Sequence, residues 1–288
     1  MPDANGRRSL TPDLNPFDAF MRQGDDQSDN GEQDNVQMKE DGLVPQQLPS
    51  IIDERAIVRY YKNPSKTPII ISSGHQGTVK EDDSQHSQNG IGDDYFDVAL
   101  ALDVTTGCGG KIWPAAEVLG QYIASKRTNG EWKGKNAVEL GAGTGLVGLL
   151  AAQLGDLEKV WITDQIPMMK LMAQNLDLNP SLRDRCIVAE LNWGEPVPQN
   201  IPKHPDVLLL ADCVYLEIAF QTLVDTMVDM STPETEILFC YQQRRKADKR
   251  FFKMLRKHFT FIDIQDDDPE RTKQYNRQGT HLYRVQKK

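Results

Sequence analysis

Three glycines at alternate positions carry the clearest chemical information in this 288-residue chain. The stretch from Asn136 to Gly148 reads NAVELGAGTGLVG: an apolar run with one carboxylate enters Gly141, Gly143 and Gly145, and a helical pattern follows. A backbone that turns sharply off a strand needs angles that favour glycine, and a ligand must lie close against it. The following helix offers unpaired N–H groups and positive dipole density. This stretch therefore predicts a strand, a tight turn and a helix that bind a small ligand.

Two classes of ligand use such a loop. A dinucleotide is bound by a G-x-G-x-x-G motif, which Gly143, Gly145 and Gly148 supply. The loop that binds S-adenosylmethionine resembles E-x-G-x-G-x-G, which Glu139, Gly141, Gly143 and Gly145 match. A glycine-rich turn without a ligand is a third interpretation. The glycines alone leave these alternatives open, so the rest of the chain must decide.

The segments around the loop alternate between apolar runs and helical patterns, which is typical of a parallel sheet with helices on both faces. Segments 261–264 and 281–285 follow without an intervening helical pattern, so we expect an antiparallel hairpin at the sheet edge. The other predicted strands are 137–140, 160–163, 186–189, 207–211 and 237–241, and the predicted helices are 115–126, 146–154, 168–178, 219–230 and 246–259.

The chain before this α/β region has a different character. Segments 51–61 and 68–72 are predicted to be strands around a turn, 80–94 a polar loop, and 98–104 a further strand. We therefore expect three parts, namely a tail, a small N-terminal β extension that includes the polar loop, and the main α/β domain. Their bounds are 1–50, 51–110 and 111–288.

Most of the negative charge lies in the first fifty residues, which carry ten acidic and four basic side chains, a net of −6 against −9 for the whole chain. This segment is rich in Gln, Asn, Asp and Gly and has few aliphatic residues. It cannot bury enough surface to offset its ordering entropy, so we expect a disordered acidic tail. The remainder is slightly acidic, at −3 (−9 minus −6), and this argues against direct nucleic-acid binding.

Several classes of protein are disfavoured by what the sequence lacks. No signal peptide is readable at its start, and no apolar run approaches the ~18 residues of a membrane span. The four cysteines, Cys108, Cys186, Cys213 and Cys240, form no C-x-x-C pair, and the histidines have no metal-ligand spacing. We expect a cytoplasmic protein with reduced thiols and no bound metal.

Several short motifs follow one another along the chain: GAGTG at 141–145, TD ending at Asp164, LNWG around Trp193, and ADCVY at 211–215. In this order they resemble the class I (seven-β-strand) methyltransferases, and specifically the protein-lysine methyltransferases of family 16. GKIWPAA at 110–116 is similar to the entry segment of that family. YQQRRK at 241–246 is similar to fungal enzymes that methylate a lysine of translation elongation factor 1-alpha. The resemblance covers about 107–285.

The resemblance implies a Rossmann-like, seven-stranded methyltransferase sheet, S-adenosylmethionine as cofactor, and a monomer acting on a protein substrate, with elongation factor 1-alpha suspected. Asp164, 21 residues after Gly143, lies where such sheets place an acid that accepts the ribose hydroxyls. The resemblance places Trp193 along the adenine. The other cofactor residues that we expect are Trp113, Glu139, Gly141, Ala142, Gly143 and Ala211.

By the same resemblance, Asp212 and Tyr215 form the catalytic D-x-x-Y element. Direct proton transfer from a lysine (pKa ~10.4) to an aspartate (~3.9) is uphill by roughly 9 kcal/mol, so Asp212 is a poor general base. We instead expect Asp212 to hold and align the lysine head, and Tyr215 to shape an apolar channel. Desolvation and the sulfonium charge then favour the neutral amine, whose proton leaves to water.

The basic residues between 244 and 257 form a cluster that is either a solvated helix face or a docking rim for a partner. Other functions remain as alternatives. A methyltransferase for a nucleobase is disfavoured because Asp212 to Tyr215 lacks the prolines of the [DN]-P-P-[YF] element, and one acting on a small molecule is a second possibility. A nicotinamide-dependent oxidoreductase is supported only by the overlapping glycines, and a non-catalytic adaptor would not depend on Asp212.

Overall fold

The fold was analysed in a computed structural model, which describes residues 52–72, 94–105, 107–127, 130–154, 156–264 and 267–288. The predicted tail at 1–50 and nearly all of the predicted polar loop at 80–94 lie outside these ranges. Both therefore stay predictions.

The first part of the chain forms a three-stranded antiparallel sheet. Its strands are β1 (Ile52–Tyr61), β2 (Ile69–Ser72) and β3 (Tyr95–Asp103), in the order β2-β1-β3. Ala56 pairs with Ser72 on one side and with Leu100 on the other. The predicted strands and the turn between the first two are confirmed.

The main sheet has seven strands within the described residues: β4 (Asn136–Leu140), β5 (Lys159–Asp164), β6 (Cys186–Glu190), β7 (Val207–Ala211), β8 (Glu236–Gln242), β9 (Phe259–Asp263) and β10 (Thr280–Lys287). Their order is β6-β5-β4-β7-β8-β10-β9. The first five strands in this order, β6 to β8, run parallel to one another, and β10 runs antiparallel to both β8 and β9. The predicted Rossmann-like methyltransferase sheet is confirmed. The strand order reverses between β4 and β7, and ligands bind at such a point outside the carboxyl ends of the strands.

Six α-helices lie within the described residues. They are α1 (Pro114–Lys126), α2 (Leu146–Gln153), α3 (Ile166–Asp177), α4 (Phe220–Met230), α5 (Asp248–Leu255) and α6 (Pro269–Arg277). Five of these six helices lie close to their predicted positions, and the sixth, α6, was not predicted. The predicted helix at 246–259 is too long, because α5 ends at Leu255 and Phe259 already pairs with Lys287 in the sheet.

One part of the predicted hairpin is wrong. β9 and β10 pair antiparallel at the edge of the sheet, as predicted, but α6 lies between them in the chain. Asp268 caps α6 by accepting hydrogen bonds from the backbone N–H groups of Glu270 and Arg271, at 3.1 and 2.9 Å, and Pro269 occupies the first turn. The helix gave no apolar period in the sequence because its buried residues are Arg271 and Tyr275.

Polar side chains connect the two sheets through the helices. The Asn175 side chain, on α3, accepts from the Ala101 N–H of β3 at 2.7 Å and donates to the Thr144 carbonyl at 2.9 Å. Asn175 is fully buried, so these bonds replace those with water. The glycine-rich loop is thereby fixed to the N-terminal sheet.

Candidate active site

The glycine-rich loop between β4 and α2 lies against two neighbouring segments. Gly141 and Gly143 have φ angles of +62° and +56°, in the left-handed region that favours glycine. A Cβ on Gly141 would lie 2.8 Å from Cζ2 of Trp193, and one on Gly143 would lie 2.6 Å from the carbonyl oxygen of Gly109. Glycine at these two positions therefore lets Trp193 and the Gly109 segment pack directly against the loop.

Glu139 is buried at the end of β4, with 2% of its surface exposed. Its Oε2 accepts a hydrogen bond from the Gly148 N–H at 2.8 Å, in the first turn of α2. Burial, only partly offset by hydrogen bonds from the Gly148 and Val147 N–H groups, raises the pKa of this carboxyl to about 8. The hydrogen-bond donors to this buried carboxyl therefore belong to the N-terminal turn of α2.

The same contact explains Gly148. A Cβ there would lie 2.7 Å from Oε2 of Glu139 and 2.8 Å from Cγ1 of Ile162. The third glycine of the apparent dinucleotide motif is therefore required by the packing of α2 against the main sheet, without reference to any ligand.

Asp164, the last residue of β5, holds the glycine-rich loop from the other side. Its Oδ2 accepts from the Gly143 N–H at 2.8 Å and its Oδ1 from the Gln165 N–H at 2.7 Å. Burial raises the pKa of the carboxyl, and these two hydrogen bonds oppose the rise. Each oxygen keeps a lone pair with which it could accept a ribose hydroxyl.

The remaining candidate cofactor residues lie around this loop. Trp193 follows β6 and packs on Gly141, and Ala211 ends β7. Trp113 precedes α1, and its indole N–H donates to the Cys108 carbonyl at 2.9 Å. The candidate residues therefore gather outside the carboxyl ends of neighbouring parallel strands, as the resemblance implied.

Asp212 has an unusual backbone conformation and a carboxylate that is bound at both oxygens. Its φ angle is +65°, the one positive value among the described residues other than glycine, and such conformations persist where the surroundings impose them. The Arg244 guanidinium donates hydrogen bonds to both carboxylate oxygens, from Nη1 to Oδ1 at 2.7 Å and from Nη2 to Oδ2. The Gln242 N–H also donates to Oδ1, at 3.2 Å.

Tyr215 lies three residues further along and is half-buried. Burial raises the pKa of its hydroxyl, and a hydrogen bond with the Cys108 side chain adds to the rise, so the phenol is neutral at physiological pH. Leu216 and Ile218, which follow it, are exposed at 42% and 91%. Glu217, between them, forms an ion pair with Arg250 of α5. An aliphatic surface therefore adjoins the D-x-x-Y element.

Two residues of this region were not singled out by sequence reasoning. Arg244 was predicted only as one member of a basic cluster, because its pairing with Asp212 joins residues 32 apart in the chain. Ile166 is 67% exposed on the first turn of α3, two residues after Asp164. The available indication in the sequence was an apolar residue two positions after the acid that is expected to bind the ribose. Its exposure adds an apolar side chain beside the candidate cofactor residues.

Three further properties can be stated for the part of the chain that the structure describes. His, Cys, Asp and Glu side chains form no group there that could hold a metal ion. Within the same residues, none of the helices has both the length and the apolar character that crossing a membrane requires. The four cysteines are unpaired thiols, and Cys186, Cys213 and Cys240 are buried.

Comparisons with known proteins agree with this geometry. Residues 94–258 match the lysine methyltransferase family. The protein-lysine N-methyltransferase EFM6 of Saccharomyces cerevisiae is 36% identical over 207 residues, which cover 64% of this chain and 82% of the yeast protein. Among mouse relatives, the protein N-lysine methyltransferase METTL21A is 35% identical (62% of this chain, 77% of the relative), and EEF1A lysine methyltransferase 3 is 36% identical (56% and 68%).

The residues at the site fit the cofactor of such an enzyme. Side chains at Gly141 and Gly143 would collide with Trp193 and Gly109, which border the loop. Asp164 accepts the Gly143 N–H and keeps lone pairs that could accept ribose hydroxyls. The family match covers more than half of the chain, and it includes this loop and the D-x-x-Y element. The chain therefore belongs to the lysine methyltransferase family and is an S-adenosylmethionine-dependent protein-lysine N-methyltransferase.

Proposed function

We propose that the substrate is a lysine of translation elongation factor 1-alpha. The observation that carries this proposal is the 36% identity to the mouse protein named EEF1A lysine methyltransferase 3. The motif at 241–246 supports the same substrate, because it is similar to that of fungal enzymes with this activity. The enzyme then acts in the cytoplasm, as a monomer, on a protein rather than on a nucleic acid.

The cofactor is held by the residues around the glycine-rich loop. Asp164 accepts the ribose hydroxyls with its remaining lone pairs, and Trp193 lies along the adenine. Gly141, Ala142 and Gly143 admit the cofactor close to the backbone, while Trp113, Glu139 and Ala211 complete the site. When bound, S-adenosylmethionine supplies a methyl group that its sulfonium charge makes electrophilic.

The protein contributes alignment rather than covalent catalysis. Transfer requires the lysine nitrogen to be held at about 3 Å from the methyl carbon, and such positioning alone accounts for large rate enhancements. Asp212 holds and aligns the lysine head, and Tyr215 forms one wall of the channel. The phenol is neutral and half-buried, so the wall favours an uncharged amine. The ammonium proton leaves to bulk solvent before the methyl transfer, since transfer to a carboxylate is uphill by roughly 9 kcal/mol.

The exposed aliphatic side chains beside Tyr215 fit a protein substrate better than a small molecule. Leu216 and Ile218 present apolar surface beside Tyr215, at the entrance to the site. Glu217, which lies between these two residues, forms an ion pair with Arg250 of α5. Apolar side chains exposed in this way beside a reactive site are typical of a surface that contacts another protein.

Transfer of labelled methyl groups to purified elongation factor 1-alpha tests this function. We expect the wild type to label one lysine, found by mass spectrometry, and Asp212→Ala to lose the activity. Arg183→Gln is the control, because Arg183 pairs with an exposed aspartate, Asp177, at the surface. Binding of the cofactor together with labelling of another lysate protein, but not of the factor, would reject the substrate and leave the enzyme class intact.

A further inference from the structure

The carboxylate of Asp212 forms an ion pair with Arg244. Arg244 binds both oxygens of its carboxylate, and the Gln242 N–H takes the second lone pair of Oδ1. The side chain of Asp212 is 3% exposed and that of Arg244 is 25% exposed. Among the contacts of the described residues, this leaves one lone pair on Oδ2 for a substrate.

Arg244 is itself held in this position. Its guanidinium lies 4.8 Å from the centre of the Trp113 indole, within the range of a cation–π contact. Its backbone N–H donates to Oδ2 of Asp248 at 3.1 Å, which fixes the start of the segment after β8. Gln242 accepts from the same guanidinium through its carbonyl and side-chain oxygens, at 3.4 and 3.3 Å. The pair is therefore part of the fold rather than a surface contact.

The ion pair between Asp212 and Arg244 changes the charge that a substrate lysine would contact. A free carboxylate beside a lysine stabilises the ammonium form, which cannot accept a methyl group because its lone pair carries a proton. A carboxylate that already carries a guanidinium has no net charge to offer, but its last lone pair can accept an N–H from a neutral amine.

We propose that Arg244 is a positioning residue that neutralises Asp212, so that the substrate lysine is aligned as a neutral amine and not bound as an ammonium ion. This rests on the proposed function, in which Asp212 faces the lysine. Neutralisation by Arg244 explains how Asp212 can align the lysine without stabilising the unreactive ammonium form.

Other charged or titratable groups surround the ion pair between Asp212 and Arg244. They are Cys213 and Tyr215 after β7, Cys240 on β8, Asp248 on α5, Cys108 and Lys111 before α1, and Asp164 on β5. The two buried thiols and the phenol are uncharged near neutral pH, because burial raises their pKa values. Lys111 stacks on Trp113 at 3.7 Å, which adds a second cation to this side of the site.

The first test is the pH dependence of the single-turnover methylation rate of elongation factor 1-alpha with saturating cofactor. Arg244→Gln should move the rising limb to higher pH by about one unit, because the freed carboxylate raises the pKa of the lysine. Arg244→Lys keeps the charge and should keep the wild-type profile, as should the control Arg183→Gln. A variant that had lost only structural support would be slower at every pH without this shift, and that result would overturn the proposal.

A second test does not depend on the substrate protein. We expect n-butylammonium, a mimic of the lysine head, to bind the full-length Arg244→Gln protein about fivefold or more tightly than the wild type at neutral pH, because the carboxylate is then free. Equal binding would mean that an incoming cation simply displaces Arg244, and it would refute the proposal. Failure of the wild type to methylate the elongation factor would reject the proposed substrate alone, and this titration would still decide the role of Arg244.

Discussion

Replacement of Glu139 by Gln should remove a pH dependence from the stability of the protein. Glu139 is 2% exposed, and its carboxyl pKa is raised from 4.5 to about 8 in the folded chain. Because the folded state holds a proton that the unfolded state has lost, the stability of the wild type should fall as the pH rises from about 5 to about 8. Gln keeps an oxygen that can accept from the Gly148 N–H, so the local fold should survive.

The magnitude follows from the linkage between protonation and folding. Within that window the folded chain binds one more proton than the unfolded chain, so the free energy of unfolding falls by about 1.36 kcal/mol per pH unit. Between pH 5.5 and 7.5 the wild type should therefore lose about 2.7 kcal/mol relative to Glu139→Gln. Above the folded pKa the difference should stop growing.

Urea unfolding of both proteins at pH 5.5, 6.5 and 7.5, without cofactor, measures this difference. Glu234→Gln is the control, because Glu234 is exposed and removal of its charge should leave the pH dependence as in the wild type. If the difference between the wild type and Glu139→Gln stayed constant over these pH values, Glu139 would be ionised throughout, and the argument from burial would fail.

Two further predictions concern cofactor binding. Gly143→Ala should weaken S-adenosylmethionine binding about tenfold or more, because a side chain there meets the Gly109 carbonyl at 2.6 Å and φ is +56°; calorimetric affinity no lower than that of the wild type would contradict the close-approach argument. Asp164→Asn should also bind the cofactor about tenfold more weakly, because hydrogen bonds to an ionised acceptor are the stronger ones, whereas the exposed Asp177→Asn should not; equal effects of these two changes would remove Asp164 from the ribose site.

The fold could be predicted where buried apolar residues recur in the sequence at the spacing of a strand or a helix. Strands β4 to β8 are short apolar runs, and each helix that packs on them shows its apolar face in the sequence. Helix α6 failed this rule because its buried positions are Arg271 and Tyr275, and the arginine is buried as the ion-pair partner of Asp267. The one indication in the sequence was local: Asp268-Pro269 is a helix start by its capping chemistry.

The positions of two candidate site residues could be predicted from the sequence, but the contacts of their side chains could not. Motif spacing predicted Asp164 and Asp212 at the carboxyl ends of their strands, and the structure has them there. It could not predict what each carboxylate binds, since Asp164 takes two backbone N–H groups and Asp212 takes Arg244. Such partners depend on the direction of individual side chains, which a pattern of residue types does not contain.

The overlap between the two ligand motifs has a physical origin in this chain. Gly141 and Gly143 are needed by the loop itself, where Trp193 and Gly109 approach the backbone. Gly148 is needed by Glu139, whose carboxyl occupies the space where a side chain on α2 would lie. The Glu139 carboxyl caps α2 from the end of β4 and leaves no space for a side chain at position 148. The third glycine of G-x-G-x-x-G is therefore explained by this contact. The glutamate, and not the glycine count, is the residue that distinguishes this loop from a dinucleotide site.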